Sequence, residues 1–218
     1  MSSNTVFKTL PTGHLFRIAV QAANTITAPD REGGENPALV SIAFSVITLE
    51  AFLNEAVEWT QNFIGGKYDL PIVSQFAQVM SVLERRRDSL EDKLSVAHSM
   101  FVGKPADFGT APYQDLKLLI ALRNELIHFK PNAPVSYEAD SHPVRQKLRE
   151  GLRAKNILAE NVEYAESWLF HASTKAVAEW ACQTAANVAL DFVKIAPQSG
   201  WRTMLQSVSA TFASYLKQ

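Results

Sequence analysis

Residues 113–130 set Arg123, Asn124 and His128 among leucines and isoleucines. At roughly 100° per residue, Leu116, Leu118, Leu119, Ile120, Leu122, Leu126, Ile127 and Phe129 cover most of a helix's circumference, so this helix is expected at the centre of a fold. Lys117, Asn124 and His128 share its one narrow polar sector, with Asn124 and His128 one turn apart. Arg123 projects instead between Leu116, Leu119 and Ile127. A guanidinium buried there alone is costly, so either a carboxylate meets it or that surface faces another molecule. An earlier apolar segment offers partners, because Glu50 and Asn54 stand one turn apart among Ala43, Ile47 and Val57. Glu50 or Asn54 is therefore expected to orient Arg123. A buried structural ion pair and a functional cation both satisfy that reading.

Other chemistries are weaker. Glu125 and His128 have the Glu-x-x-His spacing of di-iron helical bundles, which needs a second copy and two further helical glutamates. The residues three before His14, His98, His142 and His171 are Pro11, Ser95, Ala139 and Trp168, so no second copy exists and no metal or other cofactor is expected. A P-loop, a Gly-rich dinucleotide fingerprint and a Gly-x-Ser-x-Gly elbow are also missing. Arg145, Arg149 and Arg153 recur every four residues near Lys147 and Lys155, which predicts a basic ridge for phosphate if the stretch is helical, although Gly151 weakens that helix. Arg85, Arg86 and Arg87 form a second basic run. His98 reads as a core or surface histidine. Trp59, Trp168, Trp180 and Trp201 read as packing anchors more than as base-stacking platforms.

The run LRNELIHF, with Arg123, Asn124 and a His128 four residues beyond Asn124 at the end of an apolar helix, resembles the signature of the HEPN family (higher eukaryotes and prokaryotes nucleotide-binding). The flanking PYQDLKLLIALRNELIHFKP and the earlier ITLEAFLNEAV are similar to HEPN-like proteins too, so the resemblance spans residues 38–131. It implies an α-helical bundle, dimeric, with the motif helices meeting across a twofold axis. It further implies a metal-independent endoribonuclease of a toxin, defence or RNA-processing system, leaving a 2′,3′-cyclic phosphate and sparing DNA. In that mapping His128 is the general base or acid, Arg123 holds the phosphate and Asn124 positions phosphate or imidazole, with Glu50 and Asn54 supporting. Lys117, Arg145, Arg149 and Arg153 would contact RNA. An antitoxin or regulatory partner is a further expected partner. The other reading from the same resemblance is a catalytically silent HEPN scaffold for dimerisation or for ligand or nucleotide binding.

The elements that must position these residues are helices. From residue 14 to 27 the apolar positions Leu15, Ile18, Ala19 and Ala22 mark one face, and Pro29 stops that helix. After the turn-rich residues 30–37, with Pro37 at a first helical position, a second helix is predicted over 38–64, capped by Gly65 and Gly66. Phe76, Val79, Leu83, Leu90, Leu94, Ala97 and Phe101 continue the helical spacing as one long helix or as two, and Ser89 to Asp92 form a loose capping box that would set a break near Asp88. Pro131 ends the motif helix, a short basic helix starts at Pro143, and further helices are predicted over 162–195, with a break at Ser173-Thr174, and over 201–216. No strand pattern or repeat competes. The expected fold is a single all-α domain over 1–218, a HEPN-like up-and-down bundle over 14–131 with additional C-terminal helices over 132–218.

A net charge of −1 and a pI near 6.5 exclude a protein that coats nucleic acid by bulk attraction, so any RNA contact must be local. The single cysteine, Cys182, allows no internal disulfide. The first residues lack a signal-peptide apolar core, and Ser45, Thr48 and Glu50 interrupt the most apolar stretch, so a cytoplasmic protein with no membrane partner is expected.

Overall fold

A computed structural model gives the architecture and describes residues 11–27, 36–60, 70–127, 143–158 and 171–217. Among them are eight α-helices and no strand: α1 (Pro11–Thr25), α2 (Pro37–Thr60), α3 (Pro71–Arg86), α4 (Leu90–Val102), α5 (Tyr113–Ile127), α6 (Pro143–Ala154), α7 (Lys175–Ile195) and α8 (Gly200–Tyr215). The expected Gly65-Gly66 cap, the end of the motif helix at Pro131 and the stretch before Ser173 in which the seventh helix was to begin lie outside the described residues.

Local chemistry explains most helix starts. Pro11, Pro37, Pro71 and Pro143 each occupy a first helical position, where the missing N–H costs nothing. Asn36 caps α2 by accepting from the Leu39 amide at 3.3 Å, while its own amide donates to Ser173 Oγ at 2.7 Å and ties the start of α2 to the approach to α7. The predicted break between α3 and α4 is present. Arg87 adopts a left-handed conformation with φ 60°, and Ser89 and Asp92 form a reciprocal capping box.

The centre of the bundle is the pair α2 and α7, which run parallel: Ser41 Oγ donates to the Ala178 carbonyl at 3.2 Å, and Phe52 meets Phe192 edge-on at 5.5 Å. The seam holds small residues of α7, Ala178, Ala181, Ala185 and Ala189, all fully buried, so the backbones can approach closely. The buried threonines of α2 find acceptors on their own helix, as when Thr48 Oγ1 donates to the Phe44 carbonyl at 2.6 Å. α2 is long and apolar enough to cross a bilayer on length and composition, but half of that stretch is buried inside the bundle.

The motif helix α5 is therefore not the centre, contrary to the expectation from its apolar circumference. Leu116, Leu119 and Leu122 are buried, Leu118, Ile120 and Leu126 are only partly covered, and Ile127 is 51% exposed. Helical hydrophobicity alone could not rank α5 against α2 and α7, because alanines and self-satisfied hydroxyls are buried as readily as leucines. Nor do the C-terminal helices stand apart from the rest. Phe212 of α8 packs on Phe16 of α1 at 4.6 Å, and buried Trp201 donates Nε1–H to the Ala56 carbonyl at 2.9 Å.

α6 lies antiparallel on α5, joined at one end by Glu125 and Arg145 and at the other by Asp115 and Lys155. Gly151 is the point of closest approach, since a Cβ there would stand 2.9 Å from Leu118 Cδ1. The glycine that weakens the helix is what lets it dock. Gly151→Val should force α6 away from Leu118 and lower stability by about 1–3 kcal/mol in urea unfolding, whereas Gly151→Ala, which needs only a shift of a terminal methyl and adds helix propensity, should change it much less.

Glu55 gives a pH signature. It is 5% exposed, and its Oε1 accepts from the Thr12 amide at 2.8 Å at the first turn of α1. Burial raises its pKa above the ordinary 4.5, opposed by the Thr12 bonds. Because the folded value is the higher one, the contribution to stability is complete below 4.5 and declines as pH rises through the raised value. Glu55→Gln retains the acceptor and removes the titration, so denaturation midpoints should fall across that window for the native chain and stay flat for the variant.

Candidate functional site

The α5 C-terminal turns place Arg123 half-buried and Asn124 exposed. Arg123 Nη1 donates to Asn124 Oδ1 at 3.0 Å, and its Nε is buried with no hydrogen-bond acceptor. Among the described residues the guanidinium makes no hydrogen bond or ion pair with Glu50 or Asn54. This corrects the expected orientation by α2. Asn54 is exposed and Glu50 half-buried, so both stand on the wetter side of α2 and neither needs a cation. The neighbouring amide takes the role expected of them. His128 lies outside the described residues.

The predicted basic ridge is redistributed. Arg145 Nε donates to Glu125 Oε1 at 2.6 Å, with side-chain exposures of only 11% and 18%, so this arginine holds α6 to α5 instead of facing solvent. Arg149 is half-buried one turn further, next to the buried seam of Leu148 and Leu152, whereas Arg153 and Lys147 are exposed. Four-residue recurrence marked the flank of a packing seam, and only its last arginine faces outward. Lys117 is exposed as expected, and Lys155 pairs with Asp115. Of the second basic run, Arg86 pairs with Asp88 at 3.4 Å on an exposed turn.

His98 Nδ1–H donates to the Lys104 carbonyl at 3.1 Å and sets its ring edge-on to Tyr113 at 5.8 Å, a packing role at the α4–α5 turn. Trp180 and Trp201 are buried, Trp59 is partly covered, and Trp168 lies outside the described residues. Cys182 is fully buried beside Ser41 Oγ at 3.3 Å, and burial pushes its thiol above the ordinary range, so it is not a nucleophile at rest. Among the described residues no three His, Cys, Asp or Glu side chains converge as a metal set.

Sequence reading missed two polar links. Glu125 drew attention only as a metal-ligand candidate, although its place in the row Asp115, Leu118, Leu122, Glu125 is the signal of a face turned to a neighbouring helix. Tyr113 and Asp191, bonded at 2.9 Å, are far apart in sequence and carried no signal. Comparison with protein-family models, with curated proteins and with solved structures finds no match for this chain.

The Glu125–Arg145 pair is largely shielded, so removing Glu125 takes away the acceptor of the Arg145 Nε bond that holds α6 to α5. Glu125→Leu, which removes the acceptor, should cost about 1–3 kcal/mol, measured by urea unfolding, and the double reversal Glu125→Arg with Arg145→Glu should be more stable than Glu125→Arg alone.

Proposed function

We propose that the protein is a metal-independent endoribonuclease of HEPN type, acting as a cytoplasmic homodimer on RNA. The observation that carries this reading is Arg123: a half-buried guanidinium that meets no carboxylate among the described residues, steadied by Asn124 and with Nε unbonded. Glu50, the acid expected to neutralise it, makes no ion pair with it among the described residues. An arginine held by a neutral amide keeps its charge for a phosphate, which its planar fork recognises in two bonds. The likeness of LRNELIHF to the family signature supplies the second group, His128, one turn beyond Asn124.

The homodimer has its own support. Ile127 ends α5 at 51% exposure, and Val144, next to the Arg145 that bonds Glu125, is 44% exposed, so each helix exposes an apolar side chain at this end of the α5–α6 pair. A twin copy covering them would bring two Arg123 and two His128 together. One neutral imidazole would then take the proton of a ribose 2′-hydroxyl as its oxygen attacks phosphorus. The bond to the 5′-oxygen breaks, and the second imidazole, protonated, returns a proton to that leaving group. Arg123 meets the charge that grows on the phosphoryl oxygens. Lys117 is exposed and would guide RNA.

The test is cleavage of labelled RNA in the presence of chelator, with DNA of the same sequence beside it. RNA alone should be cut and should carry 2′,3′-cyclic phosphate by mass spectrometry. Arg123→Ala and His128→Ala should each lower the rate at least about 100-fold with unchanged circular dichroism, and Asn124→Ala should lower it less. Unchanged cleavage in both of the first two variants removes the assignment.

A further inference from the structure

α7 carries Asn187, Asp191 and Lys194 at steps of four and three, which sets three polar side chains in one row. They line a hollow of about 360 Å³ whose remaining wall is Leu190 with Ala111 and Pro112 from the turn before α5. This open hollow offers an apolar floor beside a row of polar groups, which can give a small molecule a few polar contacts and one apolar one. The hollow sits at the start of α5, ten residues and roughly 15 Å from Arg123, and the proposed RNA chemistry does not use it.

Asp191 is fixed in place. Tyr113, only 4% exposed, donates its phenolic O–H to Asp191 Oδ2 at 2.9 Å. That bond commits one carboxylate oxygen, and among the described residues the other makes no hydrogen bond. Lys194 is three residues on, a spacing at which opposite charges commonly pair, yet among the described residues Asp191 and Lys194 make no ion pair and Asn187 bonds neither. The last turn of α7 favours a cation through the helix dipole, which accounts for the presence of Lys194 but not for its separation from Asp191. A simple cation in the hollow would meet repulsion from Lys194, and a simple anion would meet it from Asp191. A molecule bearing both charges a few ångströms apart matches the row.

We propose that this hollow binds a small zwitterion of the α-amino acid type, with its ammonium on Asp191, its carboxylate on Lys194 and Asn187, and its side chain over Leu190 and Pro112. The contacts number few and the hollow is open, so affinity is in the millimolar to high micromolar range, of order −4 to −5 kcal/mol.

The test is a titration of the full ¹⁵N-labelled chain with leucine, phenylalanine and glycine, and with isopentylamine and 4-methylpentanoate as leucine analogues lacking one charge. Leucine or phenylalanine should shift the amide signals of 187–194 in a saturable way, and each one-charge analogue should bind at least tenfold more weakly. Lys194→Met should erase the preference for leucine over isopentylamine, and Asn187→Ala should weaken leucine binding severalfold; both positions are exposed, so the fold should persist. No saturable shift by any amino acid up to about 10 mM, or leucine binding unchanged in Lys194→Met, overturns the proposal.

Discussion

The parallel contact of α2 with α7 is the constraint on which the rest depends. Two helices come this close only where side chains are small, and here alanines of α7 face serines of α2, with Cys182 among them. Close approach excludes water from both backbones over several turns, so every polar group in the seam must find a partner inside it. Ser41 does so on the Ala178 carbonyl and Thr48 on its own helix. The other helices then add layers: α1 on α2, α8 closing over Phe16 and Phe52, and α3 with α4 supplying Phe76 and Phe101 to the aromatic cluster around Trp201.

On that frame α5 is an outer helix with one wet end, and its position changes the meaning of Arg123. In the middle of a core a guanidinium would need full neutralisation. At the end of a partly covered helix it needs only a carbonyl to hold its direction, and Asn124 gives that without cancelling the charge. α6 stabilises the arrangement from outside through Glu125 and Arg145, and its glycine allows the approach. The fold itself is an all-α bundle reached from the helices alone.

The helical content was legible because it is written locally. Prolines at first positions, the Ser89–Asp92 box and three- and four-residue apolar steps are short-range signals, and each predicts its helix or break from a few neighbours. Rank within the bundle was not legible, since a leucine-rich helix and an alanine-rich one show similar periodicity and only mutual packing decides which is enclosed. The site was half legible for the same reason. Arg123 could be recognised as out of place from its own helix, but its partner depended on how far α2 is rotated and displaced, and the nearest amide prevailed over the distant acid. Arg145 illustrates the converse error: charge spacing predicts exposure only when the adjoining face is known, and Leu148 and Leu152 turn that row inward.

The burial of Cys182 in the central seam has a practical consequence. The chain holds one thiol, and it is enclosed by the two helices whose contact organises the bundle. An alkylating reagent can reach it only after α2, or α8 with Tyr215, moves away from α7, so the rate of labelling in native buffer records how often the heart of the molecule opens, without any engineered probe. Fraying of α6 or of the exposed α3–α4 turn would pass unseen by that clock.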